Sequence, residues 1–205
     1  MRTEDLLPPR RRRCERCLRP ATACICRWIT PLSSAVDLLI LQHPMEVSNA
    51  KGSARLLHLS VAGSRLLTGE QFDPAILQAA LTQMGRRAVL LYPETAEHTP
   101  SALAMPAAQL RAEQITLVVL DGTWRKSRKM LYLNPVLQEL PRLALSGLGA
   151  SRYRIRKAHA PDQLSTLEAA CHALGQLEGD QEKFQTLRDR FADFVDVFAL
   201  NQGRL

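Results

Sequence analysis

The sequence predicts an α/β fold built on a mostly parallel sheet flanked by helices, with a small cysteine knuckle ahead of it. Three observations carry that prediction. Residues 36–41 (VDLLIL), 88–92 (AVLLY) and 115–120 (ITLVVL) are short runs apolar on both faces, as buried parallel strands are. Segments of helical period separate them, so strand alternates with helix as crossover connections require. Four of the five cysteines fall between positions 14 and 26, before the first run.

Each element has its own local reason. Residues 50–60 and 73–84 have helical period, and Asp73 is an N-cap with Pro74 at the first helical position. A shorter helical segment is expected over 107–113. After the third strand the chain turns at Asp121-Gly122 into a basic helix over 123–133, which stops before Pro135. Residues 142–145 read as a short strand, and 151–159 alternate weakly around Tyr153 and Ile155. Two helices follow, over 165–177 and 181–199, the second presenting Phe184, Leu187, Phe191, Phe194, Val195 and Phe198 on one face. There is no internal repeat and no glycine-rich nucleotide motif. The organisation expected is a basic flexible tail over 1–13, a cysteine knuckle over 14–30 and an α/β domain with C-terminal helices over 31–205.

The chain has 205 residues, 46% hydrophobic and 23% charged, enough for one good core. No stretch approaches the roughly 20 apolar residues of a membrane span, and the basic N-terminus lacks the apolar run of a secretory signal, so a soluble cytoplasmic protein is expected. Its formal net charge of +7 is unevenly spread. Residues 1–27 carry net +5 and residues 121–160 net +7, leaving −5 for the rest. Arg-dominated cations gathered in two segments suit a polyanion such as RNA, and two solvated surfaces are the plainer alternative.

Cys14, Cys17, Cys24 and Cys26 have the form C-x2-C-x6-C-x-C, close enough in sequence to close one tetrahedral site. Zinc is the economical ligand, and four cysteines leave no open position for water, which favours a structural role. Unliganded reduced thiols are the alternative, and the spacing fits iron–sulfur runs poorly. The neighbouring Arg13, Arg16, Arg19 and Arg27 would offset the charge of a tetrathiolate zinc and face an RNA backbone. Cys171 and His172 look like helix interior and helix surface.

The second candidate site is the end of the run 115–120. Ligands in open α/β sheets sit beyond the carboxyl ends of strands, and there Asp121, Gly122, Thr123 and Trp124 bring together a carboxylate, a close-approach glycine, a hydroxyl and an indole. The plainer alternative makes Asp121 and Thr123 helix caps and Trp124 a core anchor.

Asp121, Thr123 and Trp124, with the preceding cysteine cluster, the stretch Gln42-His43-Pro44-Met45-Glu46 and the later Leu164-Ser165-Thr166-Leu167-Glu168-Ala169, resemble the DTW-domain family over roughly residues 14–180. The likeness points to the bacterial tRNA-uridine aminocarboxypropyltransferases of that family. It implies S-adenosylmethionine as donor, tRNA as acceptor and a knotted fold like that of the SPOUT methyltransferases, which periodicity alone never reveals. Under it, the uracil N3 attacks Cγ of the methionine chain and methylthioadenosine leaves. Asp121 is then the catalytic residue, either accepting the imide proton or orienting the uracil.

The resemblance places donor binding on Leu91, Tyr92 and Pro93, on Leu120, Gly122, Thr123 and Trp124, and on Leu143 and Leu145, whose apolar strand ends suit an adenine slot. Ser165, Thr166 and Glu168 mark a helix N-terminus that either holds the donor carboxylate and ammonium or is an ordinary cap. RNA contacts are expected from His43, Glu46, Lys51, Arg55, Arg125, Arg128, Arg152, Arg154, Arg156 and Lys157. A zinc-knuckle RNA-binding protein and a SPOUT-type methyltransferase are the rival readings.

Overall fold

All three apolar runs become neighbouring strands in the computed structural model, which describes residues 12–49, 52–93, 111–145 and 164–201. β1 (Asp37–Gln42), β2 (Arg65–Thr68), β3 (Arg87–Leu91), β4 (Ile115–Asp121) and β5 (Arg142–Leu143) form one sheet in the order β2-β1-β4-β3-β5. Every pairing is parallel. β4 lies at the centre with β1 and β3 on its two sides, which is why its run is apolar on both faces.

Period-two alternation sends the strand side chains to two cores. Leu38, Ile40, Leu117, Val119 and Val89 pack under α1 (Ala54–Ser60), α5 (Thr166–Glu178) and α6 (Gln185–Asn201). Leu39, Leu41, Leu90 and Val118 pack against α2 (Pro74–Leu81), α3 (Trp124–Leu133) and α4 (Pro135–Gln138). The predicted face of α6 is realised: Phe184, Leu187, Phe191, Phe194 and Val195 are buried and Phe198 packs against them. The cysteine knuckle joins this first core through Cys17, Ile25 and the edge-on contact of Trp28 with Phe194, 6.3 Å between ring centroids.

Several boundaries differ from the sequence reading for local reasons. α1 begins only at Ala54, after a turn in which the Gly52 N–H donates to the Asn49 carbonyl. α2 starts as expected, with the Asp73 carboxylate accepting from the N–H groups of Ala75 and Ile76, but ends at Leu81. Met84 and Gly85 beyond it take φ 60° and 66°, the left-handed region that an α-helix excludes. α6 begins at Gln185, four residues late, because the Asp180 side chain caps a separate turn at Lys183. Only 112–114 of the expected segment 107–113 and its surroundings are seen, as a 3-10 turn. β2 and α4 were not foreseen: β2 is a four-residue, half-buried edge strand, and α4 is one turn started by Pro135. The alternating stretch 151–159 lies outside the described residues, and so do residues 94–110 and 146–163. Among the described residues no helix is long and apolar enough to cross a membrane.

Candidate active site and metal centre

The knuckle is made locally. Leu18 adopts φ 58°, and this left-handed residue lets the chain double back so that the Leu18 N–H reaches the Cys14 carbonyl at 2.8 Å and the Cys14 N–H reaches Arg19 at 2.8 Å. The four thiol sulfurs of Cys14, Cys17, Cys24 and Cys26 all lie within 4.8 Å of one another, with Cys14 to Cys26 at 3.5 Å and Cys17 to Cys24 at 3.8 Å. A tetrahedral zinc with Zn–S bonds of about 2.3 Å separates its sulfurs by about 3.8 Å, so the donor set fits that ion. The Cys17 backbone N–H, then the Cys26 thiol, lower the Cys14 thiol to about 6, whereas burial pushes Cys26 up to about 12. A cation is what would bring both into the thiolate form together.

The arginines around the knuckle divide. Arg16 and Arg27 are exposed, and Arg27 stacks on Trp28 at 4.6 Å. Arg19, expected to face RNA, is instead buried: its guanidinium donates to the Asn49 carbonyl at 2.8 Å and lies over the Phe194 ring at 5.9 Å.

Asp121 is the last residue of β4 and is 5% exposed. Strand register sets Gln42, the last residue of β1, directly beside it. The Gln42 amide donates to Oδ2 at 2.9 Å, and the Thr166 hydroxyl, from the first residue of α5, donates to Oδ1 at 2.7 Å. The His43 N–H donates to the Asp121 carbonyl at 2.9 Å, tying the same two segments through the backbone. Both carboxylate oxygens therefore face donors, the complement of an acceptor-only group.

The N-terminus of α5 is held rigidly so that Thr166 can make this contact. Ser165 and Glu168 form a reciprocal capping box, Ser165 N–H to Glu168 Oε2 at 2.8 Å and Glu168 N–H to the Ser165 hydroxyl at 3.2 Å. The Leu167 N–H donates to the Ser53 hydroxyl, linking α5 to the start of α1. Ser165 and Glu168 are thus occupied with one another, as in an ordinary cap.

Thr123 likewise caps α3, its hydroxyl accepting from the Lys126 N–H at 3.3 Å. Gly122 sits where an added Cβ would lie 3.1 Å from the Lys126 Cβ, so a larger residue would press α3 away from β4 by a few tenths of an ångström. Lys126 turns inward and pairs with Glu46 at 2.7 Å; Glu46 is buried and also accepts from the Asn49 amide at 2.8 Å. His43 is buried beside it. Its Nδ1 accepts from the Met45 N–H at 3.2 Å, which leaves Nε2 to donate to Glu70 at 2.9 Å. Lys129, with His43 second, draws the Glu70 carboxyl below its usual range.

Trp124 is 51% exposed, so it is no core anchor; its ring meets the buried Tyr92 edge-on at 5.6 Å. Tyr92 and Pro93 follow β3 and Leu143 ends β5, which pairs with Leu91 in register, and Leu120 precedes Asp121 on β4. Arg142 lies over Tyr92 and donates to the Pro93 carbonyl. Leu91, Tyr92, Pro93, Leu120, Gly122, Thr123, Trp124, Leu143 and Leu145 thus belong to the C-terminal ends of three strands and the turns that follow them. Arg55 points to the knuckle, donating to the Arg16 carbonyl, while Arg125 and Arg128 are exposed on α3. Lys51, Arg152, Arg154, Arg156 and Lys157 lie outside the described residues.

Gln42, Lys126 and Glu70 were assigned no role from sequence. Gln42 had a signal, because a lone amide ends an otherwise apolar buried strand; Glu70, on an unpatterned turn, had none.

The model of the family described as the DTW domain matches residues 11–199. The chain belongs to the DTW-domain family. This DTW-domain protein is 33% identical over 186 residues to tRNA-uridine aminocarboxypropyltransferase 2 of Drosophila melanogaster, covering 88% of this chain and 72% of the fly protein. It is 29% identical to the protein of the same name from Macaca fascicularis and 28% to that from Mus musculus, covering 87% and 82% of this chain. The chain spans 60% and 57% of those two mammalian relatives' own lengths. No solved structure matches it.

Proposed function

We propose that this DTW-domain protein modifies tRNA, transferring the 3-amino-3-carboxypropyl group of S-adenosylmethionine to N3 of a uridine and releasing methylthioadenosine. One observation carries the reading: three segments far apart in sequence, ending at Gln42, Asp121 and Thr166, converge on a single buried carboxylate at the carboxyl end of a parallel sheet. The name shared by the three relatives supplies the reaction class.

The donor supplies an electrophilic Cγ made reactive by its sulfonium. A bond forms from uracil N3 to that carbon, the Cγ–S bond breaks with its electron pair going to sulfur, and the N3 proton passes to the Asp121 carboxylate. Gln42 and Thr166 fix the Asp121 carboxylate in position to meet the imide N3–H, and burial keeps water from competing. The same carboxylate orients the uracil through its N3–H before accepting that proton. The capping box of Ser165 and Glu168 holds Thr166 in place. The apolar strand ends at Leu91, Tyr92 and Leu143 suit the adenine of the donor. The exposed Arg125 and Arg128 suit tRNA phosphates. Zinc in the knuckle is structural, and a cytoplasmic setting keeps its thiols reduced.

The test is nucleoside mass spectrometry of unmodified tRNA incubated with the protein and S-adenosylmethionine. Aminocarboxypropyl-uridine is expected. A methylated nucleoside would replace this reading with a methyltransferase, and tRNA that binds but stays unchanged would replace it with an RNA-binding protein.

A further inference from the structure

Along α3, Trp124, Arg128 and Tyr132 recur every four residues, so they lie on one side of the helix with Arg125 and Lys129 beside them. The opposite side, Ser127, Met130 and Leu131, is buried. Tyr132 is 78% exposed, and among the described residues no hydrogen bond or ion pair engages Arg125, Arg128 or the Tyr132 hydroxyl. Lys129 is the partial exception, reaching Glu70 with its side chain still 59% exposed. Single exposed apolar side chains are ordinary on a protein surface. Here two aromatic rings alternate with cations on a stripe whose first member directly follows the Asp121 turn.

Aromatic faces interleaved with phosphate-binding cations are how proteins hold unpaired nucleotides, since every base has a face to stack. Tyr132 stands about 12 Å along the helix axis from Trp124, too far to touch a base held at Asp121. We infer that the outer face of α3 is a single-strand RNA track, on which Tyr132 stacks a base flanking the target uridine while Arg125 and Arg128 bind the intervening phosphates. This rests on the tRNA reading above and adds to it: the acceptor must present its uridine in an unpaired stretch rather than in a duplex. A paired stem would offer Tyr132 no base face.

The experiment measures tRNA affinity, its salt dependence and transfer for the full chain and its variants. Tyr132→Ala is expected to weaken tRNA binding roughly ten-fold with an unchanged salt slope, because stacking releases no counterions. Tyr132→Phe, which keeps the ring, restores most of it. Arg128→Ala lowers the salt slope by about one. Tyr132 lies outside both cores, so loss of folding does not confuse the result. If the wild type modifies tRNA but Tyr132→Ala binds and turns over like it, the track is wrong and the proposed function stands. If the wild type neither modifies nor binds tRNA, both fall.

Discussion

The knuckle and the Asp121 pocket are built in opposite ways. The knuckle takes its four sulfurs from 13 consecutive residues and one left-handed turn at Leu18, and needs nothing from the sheet to bring them together. The Asp121 pocket takes its groups from the ends of β1 and β4 and the start of α5, and exists only once the sheet register and the α5 capping box have formed. A metal site of the first kind contributes folding energy and is robust to distant change. A site of the second kind is a readout of the whole fold. One chain of contacts joins them, from Arg19 through Asn49 and Glu46 to Lys126, one turn beyond Asp121.

Asp121→Ala breaks the second region without touching the first. Single-turnover transfer is expected to fall by about 10²–10⁴-fold or more while zinc content and tRNA affinity stay near wild type. Turnover within about tenfold of wild type would remove Asp121 from the reaction. Cys14→Ser with Cys17→Ser does the converse. Zinc content and thermal stability should fall together, by on the order of 2–4 kcal/mol or roughly 4–16 °C in Tm, because an ion held by the four thiolates would contribute folding energy. A stable, metal-free double variant would show that the knuckle holds no structural ion.

Glu46→Gln probes the connection. Removing the charge that faces the half-buried Lys126 should cost about 1–3 kcal/mol and lower turnover less than Asp121→Ala does, with zinc retained. Equal stability in the variant and the wild type, by calorimetry, would mean the two regions are not joined through this pair.

The smallest effect is a pH dependence to which the sheet domain contributes through two histidines and Glu70. Burial pushes both His58 and His172 below their ordinary value, with Arg55 and Arg188 adding to it. Below about pH 6.5 the unfolded chain therefore binds more protons than the folded one, and stability falls as pH drops. Glu70 acts lower. Its depressed carboxyl gives stability that is present above the ordinary carboxylate range and lost as pH falls through the folded value. A modest decline in Tm between pH 6.5 and 5.5 is expected, flattened in His58→Gln/His172→Gln. It should persist in the cysteine double variant; a decline seen only in zinc-loaded protein would assign it to the knuckle.

What the sequence reveals follows the same division. The knuckle was legible because its ligands are neighbours, and β1, β3 and β4 because strands buried on both faces must be apolar throughout. α5 was legible from its cap. β2 was not, since an edge strand with one half-covered face needs no apolar run, and the early end of α2 turns on the backbone of Met84, which has no compositional signature. Asp121 itself could be singled out by its place after β4. Gln42 stood out as a lone amide ending an apolar strand, but its pairing with Asp121 could not be read, because it depends on register between strands 79 residues apart. Arg19 shows the reverse error: an arginine in a basic segment reads as surface, and only the packing of Phe194 and Asn49 makes it interior.

The most direct measurement uses S-adenosylmethionine labelled either in the methionine chain or in the methyl group, with unmodified tRNA and the wild-type protein. Chain label on a tRNA uridine, with methyl label in released methylthioadenosine, is the expected partition. Methyl label on the tRNA, or neither label on tRNA that the protein binds, would contradict the assignment of the Asp121 pocket to aminocarboxypropyl transfer.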